Sequence, residues 1–225
     1  MLNYRDPKNT WIISISQFCF DEFEKYYPDM YPKFKNFKIL HSSELAEENY
    51  KNKFNDKGKI LGNWKTNNKG KDIIPKLKIL LNEFVFIDLK VSLEKNDNLK
   101  TFNNKKKNIY LECDIFLQIS LCEGNSYATL DALMNGLVVI STDVGLFYKD
   151  LPENCFVKLD WRKTKDIEYI KEKIKYGWEN REELSKNGRK WYMENCRFKD
   201  WEVKMKNLVE EFNILNGEKN MIKDR

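Results

Sequence analysis

The sequence has one histidine, His41, and five cysteines, Cys19, Cys113, Cys122, Cys155 and Cys196, none of them in a C-x-x-C pair. An odd, scattered set of this kind argues against a disulfide framework, and with the lone histidine far away it argues against a zinc site. Reduced thiols in a cytoplasmic compartment are expected instead. The opening MLNYRDPKNT has no apolar core of the kind a secretory signal needs. No run approaches the roughly 20 apolar residues of a membrane span. Peripheral membrane contact stays open, because Lys and aromatic residues are plentiful, but no segment demands it. Arginine is scarce as well: of 40 basic residues only six are Arg, namely Arg5, Arg162, Arg181, Arg189, Arg197 and Arg225. Lysine lacks the planar fork favoured by readers of phosphate and bases. The Lys and Glu are also interspersed, so the net charge of +5 reads as a solvated surface and nucleic acid is not expected as a partner.

What is present is a globular chain of 225 residues, 41% hydrophobic and 33% charged, enough for one or two small domains. No internal repeat is evident. The apolar run Trp11 to Ile15 predicts a strand, and the amphipathic stretch Phe18 to Tyr27 a helix ended before Pro28. FKILH (Phe37 to His41) predicts a second strand, with His41 structural. SSELAEENYKNKF, with a near capping box from Ser43 to Glu47, reads as a short helix or a linker. A strand follows at Lys59 to Leu61. After a polar loop, a helix is expected around Asp72 to Leu81, with Pro75 in its first turn. FVFIDLKVS and DIFLQIS predict strands, with a helix between them near Asn108 to Glu112. NSYATLDALMNG predicts a helix with Gly136 just past its end. LVVIST predicts a buried strand, and Asp166 to about Leu215 a long helical tail. Strands alternating with helices imply an α/β, Rossmann-like domain with a mostly parallel sheet over residues 56–215. Residues 1–55 would be a partial N-terminal extension and 216–225 a polar tail.

In such a sheet, ligands bind beyond the carboxyl ends of the strands. Two loops occupy that place. LGNWKTNNKG follows a strand and opens a helix, with Lys65 and Lys69 among small polar residues. It reads either as an anion site suited to phosphate or as a surface turn with solvated lysines. CEGNSYATLD places Glu123 just after a strand, Gly124 and Asn125 in a turn with unusual dihedrals, and Asp131 about one turn into a helix. A carboxylate repels phosphate but accepts hydrogen bonds from hydroxyls. Two carboxylates beside an anion loop therefore suit a ligand with phosphate in its middle and hydroxyls at both ends, such as a nucleotide sugar. A dinucleotide has the same shape, but GNWKTNNKG lacks the G-x-G-x-x-G fingerprint. Asp131 can equally be an early-helix acid favoured by the helix dipole.

The segment DIFLQISLCEGNSYATLDALMNGLVVISTDVG resembles the donor-site segment of retaining GT-B glycosyltransferases, the "group 1" or family 4-like transferases. Their pattern is a strand, a Ser-x-x-Glu-Gly turn, a helix with a second acid eight residues on, a Gly, and a strand ending near Thr-x-x-Gly. ILGNWKTNNKGKDIIPKL resembles their first strand and phosphate loop. The resemblance covers residues 56–212 and implies a C-terminal donor domain, one GT-B half. It implies that Glu123 bonds hydroxyls of the donor sugar at the catalytic centre, that Asp131 contacts the ribose, and that Lys69 neutralises the diphosphate. Gly62 would let the loop approach the diphosphate, and Gly124, Asn125, Ser126 and Tyr127 would line the turn. The family's Arg after the loop glycine is here Asn63, with Lys65 nearby, and its second Glu is here Asp131. No cofactor and no metal are implied, because cationic side chains and helix N-termini serve in place of a divalent ion. A full enzyme of this type has a second domain for the acceptor, which 55 residues do not supply. A hexosyltransferase donor half needing a partner chain is one expectation. A nucleotide-sugar-binding or scaffold protein without transfer activity is another, and an unrelated nucleotide-binding Rossmann-like module a third.

Overall fold

The computed structural model describes residues 10–43, 45, 47–48, 50–91 and 98–223, with side chains as far as residue 214. It begins with a small parallel unit: strand β1 (Trp11–Ser14), helix α1 (Gln17–Tyr26) and strand β2 (Lys35–Lys38). Ser16 caps α1, its hydroxyl accepting from the Cys19 N–H. The second strand lies earlier than the predicted Phe37 to His41. Pairing with β1 decides its position, from Trp11 opposite Lys35 to Ser14 opposite Lys38, and local hydrophobicity carries no trace of that. His41 therefore falls beyond the strand.

The main sheet has five strands: β3 (Lys59–Gly62), β4 (Val85–Asp88), β5 (Ile115–Gln118), β6 (Val138–Thr142) and β7 (Val157–Leu159), in the spatial order β4-β3-β5-β6-β7. Every pairing is parallel. The connecting helices are α2 (Ile74–Leu80), α3 (Leu99–Glu112) and α4 (Tyr127–Met134). Then α5 (Ile167–Glu179), α6 (Arg181–Asn195) and α7 (Phe198–Lys223) divide the predicted helical tail, and α7 runs into the expected polar tail. The sequence reading lacked β7, whose three residues are too few to show a period. It also started α3 late, because the cap is Asn98, whose side chain accepts from the Thr101 N–H.

Alternation along the strands splits the core into two layers. Ile60, Ile115, Leu117, Val138 and Ile140 meet Ile74 and Leu77 of α2 and Ile170 and Ile174 of α5. Leu61, Phe116 and Val139 meet Tyr110 of α3, Leu130 and Leu133 of α4, and Tyr192 of α6. Each such side chain contributes roughly 1.5–3 kcal/mol of burial, so the sheet is held rigidly from both faces. The segment predicted as a short helix or linker contains no helix among its described residues. It crosses the α4 side of the sheet as a strap. Lys51 N–H donates to the Asn135 carbonyl (3.0 Å). The fully buried Asp114 carboxylate accepts from Asn55 N–H (2.9 Å), Lys59 N–H (2.7 Å) and the Lys51 ammonium (3.0 Å).

The strand order places β4 on one side of β3 and β5 on the other. Crossovers leave in opposite directions there, and the carboxyl ends of β3 and β5 frame a crevice, the preferred ligand position of such sheets.

Candidate functional site

Both loops singled out in the sequence leave this crevice. The β3 loop begins at Gly62. A Cβ there would lie 2.3 Å from the Trp64 side chain. The indole tucks under the loop, buried, and its Nε1–H donates to the Leu117 carbonyl at the end of β5 (3.1 Å). Gly62 thus makes room for an aromatic side chain of its own loop. The loop then forms a short 3₁₀ turn over Asn67–Lys69, closed by Gly70 at φ 81°. Leu121 N–H donates to the Asn68 carbonyl (3.1 Å), which stitches the two loops together. Lys65 is exposed, whereas Lys69 turns inward.

The Lys69 ammonium meets Glu123 Oε1 at 2.8 Å. Glu123 also accepts from the Ser120 hydroxyl (3.1 Å), whose residue ends the run DIFLQIS. A cation and a carboxylate from the loops after two neighbouring strands are thereby fixed against each other at the reversal of the sheet. Asn63, Lys69, Gln118, Glu123 and Ser126 line a cavity of about 30 Å³ beside this pair. That is room for a water-sized group, with the outer edge of the pair open to solvent. The Asn63 Oδ1 is buried without a protein partner.

Ser126 occupies the N-cap of α4 without a side-chain capping bond, so its hydroxyl remains for the cavity. The first N–H groups of α4 have no acceptor within the helix. Gly124, expected to supply an unusual dihedral, is not among the positive-φ glycines, which are Gly70, Gly136 and Gly145. Its small size serves contact instead: a Cβ would meet Cys19 Sγ of α1 at 3.2 Å, and its carbonyl accepts from the Ser16 hydroxyl at 2.6 Å. The strained position is Gly145, at φ 59°, where a Cβ would lie 2.9 Å from the carbonyl oxygens of both Glu123 and Gly124. Asn125 donates through Nδ2 to the Ile15 carbonyl (3.0 Å). Tyr127 is about half exposed, and its hydroxyl lies 3.0 Å from His41 Nδ1. Burial holds the His41 imidazole below its ordinary pKa.

Asp131 faces away from the Lys69–Glu123 pair. It is buried, accepts from the Ser43 hydroxyl (2.5 Å), and pairs with the Lys106 ammonium of α3 (2.5 Å). Burial raises its pKa, and Lys106, Ser43 and Tyr110 oppose that rise. The site as built therefore gathers Asn63, Lys69, Glu123 and Ser126, leaves Lys65 on the outside, and sets Asp131 behind a lysine. Ser120 and Gly145 stand in the Ser-x-x-Glu-Gly and Thr-x-x-Gly parts of the pattern without a role assigned to either, and Ser43 was read only as a helix cap. Nothing distinguishes Lys106 within KKK. Among the described residues no cluster of three or more His, Cys, Asp or Glu is placed to hold a metal ion.

No family model and no curated protein matches this sequence. Solved structures do match in fold. A sucrose-phosphate synthase from Thermosynechococcus elongatus superposes with a TM-score of 0.68 over 91% of this chain and 59% of its own, at 14% identity. A glycosyltransferase from Rickettsia africae gives 0.67 over 95% and 65%, at 14% identity. The pneumococcal O-GlcNAc transferase GtfA, in complex with UDP and GlcNAc, gives 0.61 over 94% and 47%, at 16% identity. The chain thus spans less than two thirds of the length of each, and its fold is that of one half of a GT-B glycosyltransferase.

Proposed function

We propose that this chain binds a nucleoside diphosphate sugar at the carboxyl ends of β3 and β5 and serves as the donor half of a retaining glycosyltransferase, with an acceptor-binding domain supplied elsewhere, on a partner chain or on a further part of the same protein. The observation that carries this reading is the Lys69–Glu123 pair (2.8 Å) at the sheet's reversal. When a donor enters, the two charges separate to complementary tasks. The Lys69 ammonium and the free N–H groups at the start of α4 meet the diphosphate and stabilise the negative charge that grows on it as the glycosidic bond breaks. Glu123, held by Ser120, accepts from sugar hydroxyls. Asn63 and Ser126 add neutral polar contacts, and Lys65 approaches from solvent. No metal is required in this scheme, since side-chain and helix N–H groups supply the positive field. One of the fold neighbours was solved with UDP and GlcNAc, which agrees in ligand class.

A second reading, a nucleotide-sugar-binding or scaffold protein without transfer activity, draws on a different observation. Asp131 is occupied by Lys106 and Ser43, so a ribose contact there requires Lys106 to turn aside. Calorimetric titration with UDP- and GDP-sugars in the presence of a chelator tests the proposal. Lys69→Ala should weaken nucleoside diphosphates by roughly 1.5–3 kcal/mol, the size of a charge-assisted hydrogen bond, and leave nucleosides unchanged. Glu123→Gln should weaken the nucleotide sugar and spare the free nucleoside diphosphate. No binding of any nucleotide sugar by the wild type, or an absolute need for divalent metal, would overturn the reading.

A further inference from the structure

At the opposite, amino-terminal end of the sheet, the strap before β3 and the outer face of α6 border an open cleft of about 790 Å³. Six cationic side chains line it, Lys51, Lys53, Arg181, Lys186, Arg189 and Lys190, against the single carboxylate of Glu182. Lys51 is neutralised by Asp114 (3.0 Å), and Lys190 lies 3.9 Å from Glu194. Among the described residues no carboxylate pairs with the other four. In a chain with only six arginines, two stand in this one wall, and both are held in fixed planes. The Arg189 guanidinium lies 3.7 Å from the Tyr50 ring centroid. It donates to the carbonyls of Met134 and Glu47. Arg181 lies 4.5 Å from the Trp178 ring centroid and 5.6 Å from that of Phe54, and donates to the Trp178 carbonyl (2.8 Å). Its Nε is buried and has no acceptor in the protein. A solvated surface has no reason to lock two guanidinium planes in one wall, and the terminal nitrogens of Arg181, not its sealed Nε, are the ones an anion could reach. Planar forks fixed by stacking beside mobile ammonium groups are the donor set for a multiply charged oxyanion.

We propose that this basic cleft is a second ligand site, distinct from the crevice at the strand carboxyl ends, and that it takes a phosphate-class anion: a free pyrophosphate-like group or the phosphates of an anionic lipid headgroup. Arg181 and Arg189 would orient the anion, while Lys53 and Lys186, both exposed, would draw it in. The proposal stands independently of the function assigned to the Lys69–Glu123 crevice.

The test uses the full chain and the double variant Lys53→Gln/Lys186→Gln, whose side chains are solvent-facing, with unfolding midpoints as the check on integrity. Lys69→Ala serves as the control for the other site. Sodium pyrophosphate is titrated by calorimetry in chelator, and vesicles of phosphatidylcholine, with or without an equal part of phosphatidylglycerol, are used for co-sedimentation. A Lys69-independent pyrophosphate affinity that falls about tenfold or more in the double variant, the scale of a lost charge-assisted contact, supports a soluble phosphate ligand. Binding only to the phosphatidylglycerol vesicles, lost in the double variant and kept in Lys69→Ala, supports a lipid headgroup. Absence of both, or binding that the double variant leaves unchanged, overturns the proposal. Arg181→Lys provides a second check: it keeps the charge and removes the fork, so it should weaken the same ligand while sparing nucleotide-sugar binding.

Discussion

At the scale of single residues, Asp131 shows how burial and pairing compete. Its carboxyl is buried, which favours the neutral form, while the Lys106 ammonium at 2.5 Å favours the ion. Burial is the larger effect, so its pKa in the folded protein lies above the ordinary 3.8. The folded state therefore holds this proton more tightly than the unfolded chain does. The resulting stability is fully present below pH 3.8 and is lost as pH rises through the folded-state pKa. Replacing Asp131 by Asn removes that dependence. The stability of Asp131→Asn relative to the wild type should therefore shift in the variant's favour as pH climbs from about 3.8, measured by urea unfolding at a series of pH values. A pH-independent difference would mean that Lys106 fully offsets the burial. The identity of the acid was plain in the sequence. Its neighbours were not, because Ser43 lies 88 positions away in sequence, in a stretch with no helix or strand among its described residues.

At the scale of elements, the turn carrying Glu123 is shaped from outside itself. The segment Gly145–Phe147, a 3₁₀ turn after β6, presses Gly145 against the carbonyls of Glu123 and Gly124. Both its φ of 59° and the 2.9 Å approach require a residue without a side chain. Gly145→Ala should cost about 1–3 kcal/mol, the usual toll of a left-handed non-glycine residue with a steric conflict. It should also weaken nucleotide-sugar binding by displacing Glu123, in contrast to Lys69→Ala, which should leave the unfolding midpoint near the wild type. Unfolding curves and titrations on the same samples check this. An Ala variant with normal stability and affinity would show that the two turns are not mechanically coupled. The strands that build the crevice were legible because ILG, IFLQ and VVIST are short apolar runs buried on both faces, and Gly136 ends α4 at φ 77° as a helix-terminating glycine should. The loop pairing Lys69 with Glu123 was legible in outline, from chain order and the rule for parallel sheets. The meaning of Gly62 was not, since only the folded loop shows the Trp64 indole beneath it. β7 escaped because VKL has three residues, and β2 was expected too late in the chain because its position is set by β1.

At the scale of the whole molecule, the small β1–α1–β2 unit sits on the same side as the crevice, and α7 returns to it. Phe212 meets Trp11 edge-on at 5.1 Å, and Trp11 in turn meets Phe37 at 4.9 Å. Lys38 and Gln17 both bind Asp150, and Lys149 binds Asp21 (2.7 Å), tying α1 to the segment after β6. The chain covers 47–65% of the fold neighbours described above. On the proposed reading, the purified 225-residue chain should bind its donor but transfer little or no sugar to an added acceptor. Efficient transfer to a defined acceptor, followed by product mass, would overturn the donor-half assignment. The contacts of the Glu123 turn with the β1–α1 corner have a further meaning, in the order of assembly. Ser16 reaches Gly124 across 108 positions and Asn125 reaches Ile15 across 110. Closing a loop of that length is entropically slow compared with docking neighbouring βα units. The central sheet can therefore form from local pieces, whereas the turn that carries Glu123 acquires its final shape only when the first part of the chain has come home.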